Sequence, residues 1–156
     1  MNPVDATILG LIAAWDGAPE LAFTVDGKPD QLSVNDGPRL DDPEAWRVLV
    51  VGATAGFVPV GQATTRPGYG GRREEQFEVR CELTVWDGDT DLAHVRTQAY
   101  AVLDVLAELL AAHEWGDDIS WARITRHSYQ PAQSDLGVGV LIPFSVVANA
   151  TRFEGA

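Results

Sequence analysis

The chain has 156 residues, enough for one domain with a single sizeable core. Hydrophobic residues make up 46%, within the globular range, while 11 Lys+Arg against 23 Asp+Glu leave a net charge of -12. A surface this acidic repels phosphates and excludes a DNA or RNA clamp, but not a wall past which nucleic acid slides without sticking.

Residues 3–15 predict a helix: Val4, Ile8, Leu11, Ile12 and Trp15 recur at helical spacing, Pro3 suits a first turn, and Asp16-Gly17 stops it. Ala22 to Val25 predict a short strand closed by the turn signal Asp26-Gly27. Residues 26–45 are polar and turn-rich, with Pro29, Pro38 and Pro43. Arg47 to Gly52 is dense in β-branched residues without alternation, the mark of a strand buried on both faces. Residues 60–74 carry glycines, a proline and Arg66, Arg72 and Arg73 with almost no large apolar side chain, and predict an exposed loop or arm.

Residues 75–86 alternate strictly. Phe77, Val79, Cys81, Leu83 and Val85 share one face of a strand, and Glu78, Arg80, Glu82, Thr84 and Trp86 the other. Residues 91–113 place Leu92, Val95, Ala99, Leu103, Leu106 and Leu110 on one helical stripe, with Gly116 as its stop. Residues 119–129 predict a strand, 130–137 a turn region and 138–149 a long strand, with Pro143 marking an edge or a bulge. The order α-β-β-β-α-β-β predicts one α+β domain: a mainly antiparallel sheet with two helices on one side.

The chemistry-bearing candidates are few. Asp87, Asp89 and Asp91 stand at alternate positions, as ligands do at the start of a calcium loop. Counting from Asp87, the sixth residue is Leu92 instead of glycine and the twelfth is Gln98 instead of a bidentate carboxylate. A turn at Asp87-Gly88 followed by a helix capped by Thr90 or Asp89 explains the same residues with less. Cys81 is the single cysteine, so no internal disulfide forms, and it falls in step with the apolar face, a core position. His94, His113 and His127 lack zinc spacing, and no catalytic elbow or phosphate loop is present. The expectation is therefore no enzyme, no metal and no cofactor. A small metal- or ligand-binding domain using Asp87, Asp89 and Asp91, with His94 beside them, is the alternative from another class. No signal peptide or membrane span is expected, for want of a basic leader and a long apolar run. Trp86, on the charged face of its strand, is either a protein contact or covered by a loop or the second helix.

Taken together, the N-terminal amphipathic helix (Pro3–Trp15), the Val25-Asp26-Gly27 turn, Leu49-Val50-Val51-Gly52-Ala53, the strand ending in Val85-Trp86-Asp87-Gly88-Asp89, the helix opened by Asp91-Leu92 and a glycine-led apolar C-terminal strand resemble the tail terminator (tail-completion, minor tail) family of long-tailed bacteriophages. The resemblance implies a non-catalytic virion protein that forms a homohexameric ring on the head-proximal end of the tail tube. Its implied partners are other copies of itself, the major tail tube protein and a head-tail connector or stopper protein, with DNA passing through the lumen unbound and no membrane. It would act in the host cytoplasm during assembly and in the neck of the tail afterwards. A head-completion or neck protein of the same particle shares this look and is the nearest alternative. A ring subunit makes a heterologous contact. Arg66, Arg72, Arg73, Glu75, Glu78, Arg80, Trp86, Asp87 and Asp89 are the candidate contact residues, with Glu74, Glu75, Glu78, Asp87, Asp89 and Asp91 as candidates for the lumen or the tube-facing rim.

Overall fold

The computed structural model describes residues 2–37, 45–52, 66–67, 72–88, 91–117, 119–135 and 137–153. Helix α1 runs Pro3–Trp15. Pro3 takes the first helical position, where a missing N–H costs nothing. Asn2 caps it, its Oδ1 accepting from the Val4 N–H at 2.8 Å. Thr7, Leu11 and Trp15 form the buried stripe, and the Thr7 hydroxyl donates to the Pro3 carbonyl at 2.8 Å, so no polar atom is stranded.

Helix α2 runs Leu92–Ala112. Its cap is Asp91, not Thr90 or Asp89: the Asp91 Oδ1 accepts from the N–H groups of Ala93 at 3.1 Å and His94 at 3.4 Å. A capping oxygen must stand directly before the first helical residue to reach those donors, and only Asp91 does. The helix also ends before Gly116, with His113 extended as C-cap. The reason is tertiary. The His113 ring meets the Trp115 ring edge-on at 4.7 Å, and Trp115 lies on α1 at Gly10, where a Cβ would come within 2.2 Å of its Cζ3. The chain leaves the helix to seat that indole on the one residue of α1 that lets it approach.

The strands are β1 (Ala22–Val25), β2 (Lys28–Gln31), β3 (Ser33–Asp36), β4 (Arg47–Val51), β5 (Arg66–Pro67), β6 (Arg72–Asp87), β7 (Ile119–His127), β8 (Gln130–Ser134) and β9 (Gly137–Phe153). A β1–β2 hairpin stands apart. The main sheet has the order β3-β4-β6-β9-β7, with β5 added to β6 and β8 to β9. Only the β3–β4 pair is parallel among the described strands. The architecture is α+β, as the patterning predicts, with both helices packed on one face of the sheet.

Three expectations are corrected. Within residues 26–45, Lys28–Gln31 and Ser33–Asp36 are strands; they are short and polar because one is an exposed hairpin arm and the other a sheet edge, so neither needs an apolar pattern. Residues 130–137 are not simply a turn, since β8 pairs with β9 from Gln130 to Ser134. Within residues 60–74, Arg66–Pro67 pairs with Arg73 and Glu74, and Arg72 to Glu74 belong to β6; the remaining residues of the predicted arm lie outside the described ones.

Pro143 is a fourth. It sits in the interior of the sheet, not at an edge, because β9 has β6 on one side and β7 with β8 on the other. The Pro143 carbonyl faces the second side and accepts from the Ser128 N–H at 3.1 Å. In an antiparallel ladder a residue's N–H and C=O face the same neighbour, so Pro143 has no donor to offer there. β7 stops at His127 and β8 resumes at Gln130, opposite that gap. The break predicted for the proline's own strand falls on its neighbour.

The core lies between the helices and the sheet. Phe77, Val79, Cys81, Leu83 and Val85 meet the inward residues of β9, and the α2 stripe of Val95, Ala99, Leu103, Leu106 and Leu110 covers them. In β4, Leu49, Val50 and Val51 are buried and Val48 partly so. Trp15, fully buried, joins all three parts. Its Nε1 donates to the Leu106 carbonyl at 3.0 Å, and its ring stands edge-on to Phe144 at 6.1 Å. Replacing Trp15 by Ala is expected to lower stability by about 3–5 kcal/mol. Trp15→Phe, which keeps a ring and loses the hydrogen bond, is expected to cost about 1–2 kcal/mol. Urea unfolding midpoints measure both, and a wild-type midpoint for Trp15→Ala would remove its role as the link between the layers.

Candidate functional site

The residues with recognition chemistry converge at one corner, where β6 ends and α2 begins. β4 starts there with Arg47, which pairs in register with Val85, and the Trp86 N–H donates to the Trp46 carbonyl at 2.7 Å. Strand alternation puts Trp86 on the face away from the helices. Its register partner is Gly139, and a Cβ there would lie 2.3 Å from the indole. Glycine in that cross-strand position is what lets the ring lie flat across the sheet, half-buried.

The β1–β2 hairpin closes the other wall. Leu21 and Leu32, buried at its two ends, anchor it, and Asp26 at φ 51 makes its tight turn. Between the hairpin and the sheet corner is a cleft of about 430 Å³ lined by Phe23, Trp46, Arg47, Trp86, Asp87 and Gln98, among others. A second hollow of about 330 Å³ continues from it past Asp26 and Asp30.

Arg47 dominates the electrostatics. Its guanidinium lies 4.1 Å above the centre of the Phe23 ring. Burial pulls its pKa below the ordinary arginine value, while the carboxylates of Asp87 and Asp30 pull the other way. Asp87 also approaches His94, Oδ2 to Nε2 at 3.8 Å, and Gln98 Nε2 lies 2.9 Å from the same ring nitrogen. The result is an aromatic-walled cleft with one stacked cation and a surplus of carboxylates.

The predicted contact residues separate into groups. Trp86 and Asp87 lie in this cleft. Glu78 and Arg80 share Trp86's sheet face but stand about 26 and 20 Å along the strand, and Glu75 is about 40 Å from Asp87, at 3.3 Å per residue. Arg66, Arg72 and Arg73 fall in β5 and the start of β6, at the far end. Asp89 lies outside the described residues, and Asp91 is committed to capping α2. Among the described residues, no three His, Cys, Asp or Glu side chains converge as a metal requires. Phe23, Trp46 and Arg47 were not legible as site residues, because three separate segments must fold together before they touch. A tryptophan and an arginine at the head of an otherwise apolar strand are the only signal they leave.

No protein-family model and no curated protein matches the chain. Among solved structures it is similar to a chain described as "Virion of native gene transfer agent (GTA) particle". The TM-score is 0.52 at 11% identity, and the likeness covers 93% of this chain and 92% of that one. It is a likeness of fold.

Two outcomes are expected here. Gly139→Ala should displace Trp86, shift its fluorescence and destabilise the protein by about 1–3 kcal/mol; an unchanged emission spectrum would mean that the indole does not rest on Gly139. Cys81 is 1% exposed, and burial pushes its thiol up to about 12. At pH 8 the native thiolate is then about one part in ten thousand. A thiol reagent should label Cys81 only after unfolding in urea, and prompt labelling of the native protein would contradict the assignment to the core.

Proposed function

We propose that this chain is a structural component of a phage-like virion, and that within the particle it acts as a tail terminator. In this reading, copies form a homohexameric ring on the head-proximal end of the tail tube, stop addition of tube protein and present a docking surface to the head's connector complex. The chain performs no catalysis, resides in the neck of the tail in the finished virion, and lets DNA pass through its lumen unbound.

The observation that carries the reading is the two-way coverage of the fold likeness. Nearly the whole of this chain matches nearly the whole of a chain from a gene transfer agent virion, so the similarity concerns the whole fold and not a shared motif. Three features support it. The net charge of -12 suits a passage through which phosphates must slide. The only cysteine is shut in the core and raised in pKa, which removes it as a nucleophile. The exposed recognition chemistry is a cleft suited to a protein side chain, which is what a subunit of an assembly needs.

Purified protein examined by native mass spectrometry and negative-stain imaging is expected to give closed rings, and added to polymerising tube protein it should yield short capped tubes. Binding to the head connector with no effect on tube growth would favour a head-completion protein of the same particle instead. A monomer that neither rings nor caps, and whose melting temperature rises with calcium, would overturn the reading in favour of the ligand-binding alternative.

A further inference from the structure

The two edges of the main sheet carry opposite charge. β3 is its first strand and β7 its last. From Ile119 to Ser134 the chain has no carboxylate, although 23 of its 156 residues are Asp or Glu. Arg123 and Arg126 of β7 are exposed. They pair in register with Val147 and Ser145, on the sheet face away from the helices. Arg80 shares the row of Arg126 and Glu78 that of Arg123, each two strands away on β6, about 10 Å. Among the described residues no carboxylate pairs with Arg123 or Arg126. On the helix side Arg96 lies over the Tyr129 ring at 5.6 Å and donates to its hydroxyl at 3.4 Å, with Asp104 two turns further along α2. Four arginines against two carboxylates make this edge positive in a chain whose net charge is -12. At the other edge the β1–β2 hairpin runs into β3. Asp26, Asp30 and Asp36 are exposed there, and Lys28 is the one cation between Ala22 and Gly37.

The geometry points to a head-to-tail contact in which the β7 edge of one copy seats against the β1–β2 hairpin of the next. Complementary charge selects these two surfaces and sets the polarity of the contact. The Arg123 guanidinium lies 5.0 Å from the centre of the Trp121 ring, so an aromatic face holds its planar donor fork in place for a carboxylate. The hairpin suits the opposite role. Among the described strands it pairs with none of the main sheet, and its tight turn sets Asp26 at the tip. Within one copy the two surfaces cannot meet. β3 and β7 are four strand spacings apart in the same sheet, about 19 Å, so the partner is a second molecule. One surface meeting a different surface is a heterologous contact, which repeats until it closes a ring. The inference rests on the ring reading above and adds which two surfaces meet.

A charge swap tests it. Arg123→Glu with Arg126→Glu turns the β7 edge negative and leaves the hairpin. Asp26→Asn with Asp30→Lys turns the hairpin positive and leaves the edge; all four positions are exposed, and asparagine tolerates the left-handed turn at position 26. Circular dichroism and melting curves check that each variant folds, and sedimentation velocity measures assembly. Either pair alone is expected to assemble at least about tenfold more weakly than wild type, since like charges then face each other across the contact. A chain carrying all four substitutions should recover to within about threefold of wild type, because a positive hairpin then meets a negative edge. If wild type assembles and either folded pair assembles equally well, or the fourfold variant stays as weak as the pairs, this contact is wrong while the ring reading stands. If wild type is monomeric at every concentration, both fall.

Discussion

Every one of the 16 residues of β6 pairs in register with β9, and the rest of the molecule is arranged on that ladder. A slip of one residue would turn Phe77, Val79, Cys81, Leu83 and Val85 to the outer face and bring Glu78, Arg80 and Glu82 under the helices. The core therefore specifies the register as strongly as the register specifies the core. β4 reads its position from β6, with Leu49 opposite Leu83. β7 and β8 read theirs from β9, even to the break opposite Pro143. Both helices bury their stripes on the face the ladder presents, and Trp15 ties them to Phe144.

A ladder of this length also has ends far apart, and the ends are where recognition chemistry collects. In the middle, side chains on one face are spent on packing. At the corner, β6 stops, the chain turns, and Trp86, Asp87 and Arg47 meet a hairpin that belongs to neither layer. Arg47 shows the physical compromise: its guanidinium is drawn out of water by burial yet kept in place by an aromatic face and two carboxylates.

How far each feature could be read in advance depended on the range of the forces behind it. The alternation of residues 75–86 is local, and the strand followed it with the faces as expected. The helical stripe of residues 91–113 was equally clear. Its boundaries were not: one depends on which carboxylate stands directly before Leu92, the other on Trp115 finding Gly10 across the fold. β2, β3 and β8 carry no apolar pattern because they are edges and hairpin arms, and only a partner strand makes them strands. The aspartate triplet divided into a cleft residue, Asp87, a cap, Asp91, and Asp89, which lies outside the described residues.

By itself, the sequence determined the α+β class, the two helices, the inward faces of the main strands and the burial of Cys81, because each follows from the period of apolar residues along a continuous segment. The tertiary structure alone decided that Trp46, Trp86, Arg47 and Phe23 would share one cleft, and that Pro143 would interrupt its neighbour and not its own strand. These depend on contacts between residues distant in the chain, and such contacts exist only once the ladder has set their register.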